Sequence, residues 1–227
     1  MLTVLLRLAC LGLLAVAATP DAARGQAASA EGQALIQAAE RGDVAALDRL
    51  IAAGAALEAR DGRGRTALLA ATHANQVEAA RRLMAAGADV NAKDAIQDSP
   101  FLYAGAEGRL EILRLTLAHG ADLGSVNRFG GTALIPAAHH GHVDTVRLLL
   151  ATKIAVDHVN RLGWTALLET VILGDGGPRH VEILKLLLES GADPRIADRD
   201  GTAALEHARR RGYAAMAALL SAAAGQR

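Results

Sequence analysis

Three histidines, His139, His140 and His142, fall within one short stretch, followed closely by Asp144, and they are the chain's nearest approach to a metal site. The adjacent His139 and His140 point in different directions at a helix end. No His-x-x-x-His or Glu-x-x-His spacing sets two ligands on one helical face, although His180 would be a further imidazole. The single cysteine, Cys10, lies in the N-terminal apolar run, so the remainder offers no thiolate. No metal is therefore expected and no cofactor is implied. Glu169 with His207, or with His140, could be drawn as an acid/base pair. No Gly-x-Ser-x-Gly elbow, phosphate loop or paired-carboxylate frame accompanies it, and the chain reads as a non-enzyme. With 24 Lys and Arg against 24 Asp and Glu, it lacks the net charge that draws proteins to nucleic acid. Nucleic-acid binding is not expected.

The elements that would position these side chains are clearest over residues 127–159. Paired Gly130 and Gly131 lead to Thr132, a natural N-cap for a short helix that ends at Gly141. A second helix follows, with Val143, Val146, Leu149 and Leu150 forming an apolar stripe. Neither helix is long enough to stand alone, and neither buries its stripe within the unit. The unit needs copies of itself.

Those copies exist. Thr66-Ala67-Leu68, Ser99-Pro100-Phe101, Thr132-Ala133-Leu134 and Thr165-Ala166-Leu167 recur every 33 residues, and Ala203-Ala204-Leu205 comes 38 residues later. Gly54-Ala55, Gly87-Ala88, Gly120-Ala121 and Gly191-Ala192 each precede the next cap by 12 residues. The break between helices falls at Gly42, Asn75, Gly108, Gly141 and Gly212. With these landmarks in register, the chain resembles an ankyrin-repeat protein of bacterial type. The resemblance implies an all-α solenoid, with a β-turn and an antiparallel helix pair in each ~33-residue repeat. It covers Gly32 to about Ala224 as units of about 32–60, 61–93, 94–126, 127–159, 160–197 and 198–224, within a domain of residues 27–227.

Departures from the family pattern carry their own expectations. The family's His after Thr-Pro-Leu is replaced by Leu69, Leu102, Ile135, Leu168 and Glu206, so its hydrogen bonds between turns must come from elsewhere. Lys153 stands where a glycine ends the helix in other units, and that helix is expected to end differently. Five extra residues within 173–180 form a glycine-rich loop, read as an adjustable rim to the binding face.

Residues 1–26 are read as a signal peptide and short linker. Arg7 precedes an apolar run at residues 8–18 that is too short for a membrane span. Export is expected, to the periplasm in a Gram-negative cell, with secretion or an uncleaved N-terminal anchor as alternatives. Membrane contact is confined to that segment, and a monomer is expected.

Members of the resembled family bind partner proteins through a concave face built from turn tips and inner helices. Carried onto this sequence, that face centres on Arg128, Phe129, Arg161, Leu162 and Trp164 at the tips, with His139, His140, Ile172 and Leu173 on the inner helices. Ile96, Asp98, His73, Ala106 and Glu107 occupy the same rows in earlier units. Two of the chain's five aromatics, Phe129 and Trp164, stand at adjacent tips. They either bind a partner, as exposed aromatics do at interface hot spots, or pack on neighbouring turns. Glu169 and His207 share a row on neighbouring units and are read as solvated. The function expected is non-catalytic binding of an unidentified partner protein. An inhibitor or immunity-type protein, or a ligand- or metal-dependent stress protein, is the alternative.

Overall fold

The computed structural model describes residues 20–225, with side chains from residue 30 onward. Residues 1–19, with Cys10 and the apolar run, lie outside the described residues, as do the last two. Twelve helices follow one another among the described residues: α1 (Pro20–Arg41), α2 (Val44–Ala52), α3 (Ala67–His73), α4 (Val77–Ala85), α5 (Pro100–Ala106), α6 (Leu110–Ala118), α7 (Leu134–His139), α8 (Val143–Leu150), α9 (Ala166–Ile172), α10 (Pro178–Glu189), α11 (Ala204–Arg210) and α12 (Ala214–Ala224). There is no strand among them, and an isolated bridge joins Ala197 to Ala203. The all-α solenoid expected from the repeat is the architecture observed.

Each odd-numbered helix packs on the even-numbered helix after it and on the next odd one, and the even-numbered helices stack in the same way. The apolar residue two positions after the Thr or Ser of each motif fills the space between layers: Leu68, Phe101, Leu134 and Leu167 are all fully buried. A buried side chain of this size contributes about 1.5–3 kcal/mol, and part of that burial comes from the neighbouring unit. The described part of the first helix runs over Pro20–Arg41 and so includes residue 26.

Two local expectations need correction. Thr66, Ser99 and Thr165 cap their helices, each accepting a hydrogen bond at 3.2 Å from the amide three residues on. Thr132 does not; the cap is Ala133, and the Thr132 hydroxyl is buried without a partner. Pro136 is the reason. In its sister units the amide four residues past the cap bonds the cap carbonyl, as Ala70 does to Thr66. Proline has no such amide. Ile135 N–H bonds the Thr132 carbonyl at 3.2 Å instead, and is lost to the hydroxyl.

At the end of α8, Lys153 is absent from the positive-φ residues, whereas Gly54, Gly87, Gly120 and Gly191 are all among them. The elsewhere direct bond, such as Ala88 N–H to the Leu83 carbonyl at 3.0 Å, is replaced by a relay. The Thr152 hydroxyl donates to the Leu149 carbonyl at 2.6 Å and accepts from the Ile154 amide at 3.2 Å. The helix end thus avoids the left-handed conformation that lysine resists.

Side chains on both sides hold the glycine-rich loop before α10. Buried His180 sets Nδ1 2.7 Å from Asp175 Oδ1 and Nε2 2.8 Å from the His139 carbonyl. Tyr213 donates its hydroxyl to the Gly174 carbonyl at 3.0 Å. The ring of Tyr213 lies where a Cβ at Gly176 would sit, so that glycine is required by contact as well as by its φ of 71°.

Candidate functional site

The turn tips share one device that the repeat pattern did not reveal. The first residue of each turn, Asp61, Asp94, Asn127, Asn160 or Asp198, accepts two amide hydrogen bonds on Oδ1, from the residues two and four positions on. For Asn127 these are Phe129 at 2.9 Å and Gly131 at 3.0 Å; for Asn160, Leu162 at 2.9 Å and Trp164 at 3.0 Å. Neighbouring tips are then linked through backbone: Arg161 N–H donates to the Phe129 carbonyl at 2.9 Å, and Ala95 N–H to the Arg63 carbonyl at 3.1 Å. They join neighbouring turns without the family's histidine.

This scaffold decides which tip side chains face outward. The second and third residues of the turn project into solvent: Phe129 is 50% exposed, Ile96 50% and Leu162 45%. The fifth residue turns inward, so Trp164 is half-buried against the core, as Arg65 is buried at the same position. Of the two readings of the aromatic tips, Phe129 takes the exposed one and Trp164 the packed one.

Between the tips and α5, α7 and α9 runs a groove of about 480 Å³. Arg128, Phe129, His139, His140, Leu162 and Leu173 line it, as anticipated. Trp164, Arg161 and Ile172 do not. Ile172 is half-buried against the core, and exposed Arg161 spends its guanidinium on the Arg128 carbonyl at 3.0 Å. Also on its walls are Ile96, Asp98, Glu107 and His73, which occupy the tip and inner-helix rows of earlier units.

The floor holds the residues that sequence reasoning misjudged. Glu169 is 6% exposed, not solvated. It does not meet His207, which pairs within its own unit with Asp198 at 2.7 Å. Glu169 Oε1 instead accepts from Asn160 Nδ2 at 2.8 Å, linking turn tip to inner helix. The signal for both contacts was present: each partner lies nine residues after the first turn residue of its own unit. Nearby, His73 stacks on Tyr103 with ring centroids 3.7 Å apart, and His140 donates from Nδ1 to the Ala106 carbonyl at 2.7 Å.

Burial pushes the Glu169 carboxyl above its ordinary range, and the Asn160 hydrogen bond and the charge of His140 pull it partly back. Burial, then the Asp94 carboxylate, raises Asp98 against the pull of Arg128. His73 is lowered by burial and by the Arg65 charge, and His139 by burial and by His140 and His180. His139 Nδ1 and Glu169 Oε2 lie 3.8 Å apart, beyond hydrogen-bond reach. No group of three or more potential ligands is arranged to hold a metal among the described residues.

Comparison with known proteins agrees with the architecture. The family model for ankyrin repeats (3 copies) matches residues 8–94 and 101–198. The crystal structure of an ankyrin repeat domain from Acinetobacter baumannii AYE is 56% identical, with a TM-score of 0.81 over 83% of this chain and 96% of that one. The ankyrin repeat protein EF0377 is 41% identical, with a TM-score of 0.81 over 84% and 97%. The ankyrin repeat domain of Bcl-3, of the IkappaB protein family, is 27% identical with a TM-score of 0.76 over 84% and 85%. The ankyrin repeat protein YahD of Escherichia coli (strain K12) is 48% identical over 56 residues, 25% of this chain. That stretch spans 28% of the length of this curated relative. With the family matched over most of its length, and with two bacterial-type solenoids aligned over nearly their whole chains, this chain belongs to the ankyrin-repeat family.

Proposed function

We propose that this chain is a non-catalytic binding module that captures a partner protein in the groove across α5, α7 and α9. Ankyrin repeats form protein–protein interaction modules. The observation that carries it is the distribution of exposed apolar groups. Five large hydrophobic side chains are exposed among the described residues, and four of them, Ile96, Phe129, Leu162 and Leu173, line this one groove. Apolar groups concentrated in a preformed concavity are what a binding surface requires, and rigid turns reduce the ordering cost of association.

The protein acts as a monomer, and its N-terminal apolar run directs it out of the cytoplasm. Size-exclusion chromatography with light scattering checks the first statement, and cell fractionation the second. The binding reading is tested by crosslinking and pull-down with wild-type protein and with Phe129→Ala/Leu162→Ser. Both side chains are about half exposed, so the variant is expected to melt within a few degrees of wild type and to lose its partner. Equal capture by both proteins sinks the groove as the site.

A further inference from the structure

The groove carries an electrostatic instruction as well as an apolar one. Three carboxyl groups line it, Asp98, Glu107 and Glu169, against one guanidinium, Arg128. Arg128 is already engaged, 3.6 Å from Asp98 and with its guanidinium carbon 4.7 Å from the centre of the Phe129 ring. Glu169 is more telling. Its side chain is nine-tenths buried, one oxygen is held by Asn160, and Oε2 faces His139 Nδ1 at 3.8 Å with no hydrogen bond among the described residues. A carboxylate oxygen accepts more than one hydrogen bond, so Oε2 has capacity for a donor that enters the groove.

We propose that the partner presents an extended segment in which an arginine or lysine, flanked by apolar residues, seats on Glu169 Oε2 while its neighbours cover Phe129, Leu162 and Leu173. This rests on the groove being the binding site and adds the chemistry of what enters it. A long cationic side chain suits the position because its methylene stem lies along apolar walls while its head reaches the carboxylate. Charge-assisted hydrogen bonds formed out of water are among the stronger polar contacts available to an interface. Asp98 and Glu107 extend the same negative field along the groove.

The test is selection of random phage-displayed peptides on the full chain, followed by affinity measurement of the enriched peptides. The expected sequences share an Arg or Lys with apolar flanks. Glu169→Gln keeps an oxygen for Asn160 and should weaken them by at least about tenfold. Asp98→Asn, a second removal of charge that leaves the Glu169 contacts untouched, should weaken them less. The inference is overturned if enriched peptides lack a cation or bind Glu169→Gln as tightly as wild type. If such peptides still lose affinity with Phe129→Ala, the groove stands and the cationic anchor falls. If Phe129→Ala has no effect, or nothing is enriched, the groove itself falls. Agmatine binding as tightly as the peptides overturns the segment in favour of a free amine.

Discussion

The turns at residues 127–131 and 160–164 are built on the same hydrogen bonds, yet they use their aromatic residues in opposite ways. Phe129 occupies the third position and stands half in solvent, whereas Trp164 occupies the fifth and packs against the core. Residue type suggested a matched pair of anchors; position in the turn separates them. A tip aromatic is available to a partner only where the backbone turns it outward.

Trp164→Ala is the strongest way to break this comparison. The truncation of a large half-buried side chain is expected to remove about 2 kcal/mol, or roughly 4–8 °C of melting temperature, while the folded variant still binds. Phe129→Ala should change melting by less than about 2 °C. Equal melting shifts in thermal denaturation would erase the distinction.

The first turn residues sharpen it next. Asn127 and Asn160 hold the same two amides, but Asn160 also supports the buried Glu169. Asn160→Ala leaves that carboxyl without its partner and should cost about 2 kcal/mol, against about 1 kcal/mol for Asn127→Ala. Denaturant titration of both variants measures the gap, and its absence would show that the Glu169 bond contributes nothing.

A smaller effect has the opposite sign. Pro136→Ala restores the amide that bonds the Thr132 carbonyl and frees Ile135 N–H for the buried hydroxyl. The variant should gain about 1 kcal/mol, and the expected rise in melting temperature tests the explanation of the missing cap.

The smallest expected effect is on pH. His73 and His139 are held below the ordinary histidine value near 6.5. The unfolded chain therefore takes up protons first as pH falls, and stability present above pH about 6.5 declines below it. His73→Gln should flatten part of that decline below pH about 6.5, and an unchanged slope would count against the burial of His73 as its cause.

Much of this was legible in the chain itself. A 33-residue step in caps, breaks and helix ends is a local pattern, repeated often enough to specify the solenoid and the rows that would face its groove. Six of the nine residues singled out line that groove: Arg128, Phe129, His139, His140, Leu162 and Leu173. The remaining three show where row assignment fails. Trp164 and Ile172 sit on rows whose side chains divide between groove and core, and Arg161 reaches the surface but bonds to the tip beside it.

Periodicity therefore determined the architecture, because stacking one unit on the next is the only way such short helices bury their apolar faces. It also marked Lys153 as a place where the helix would end in an unusual way. Tertiary structure decided the rest: that a Thr152 hydroxyl completes that ending, that Glu169 lies buried under Asn160 rather than beside His207, and that one aromatic tip is free while the next is packed. These outcomes depend on side-chain direction and on which donor reaches an acceptor first. A repeat read as letters places each residue in its row, while only the folded chain sets the directions and distances on which those contacts depend.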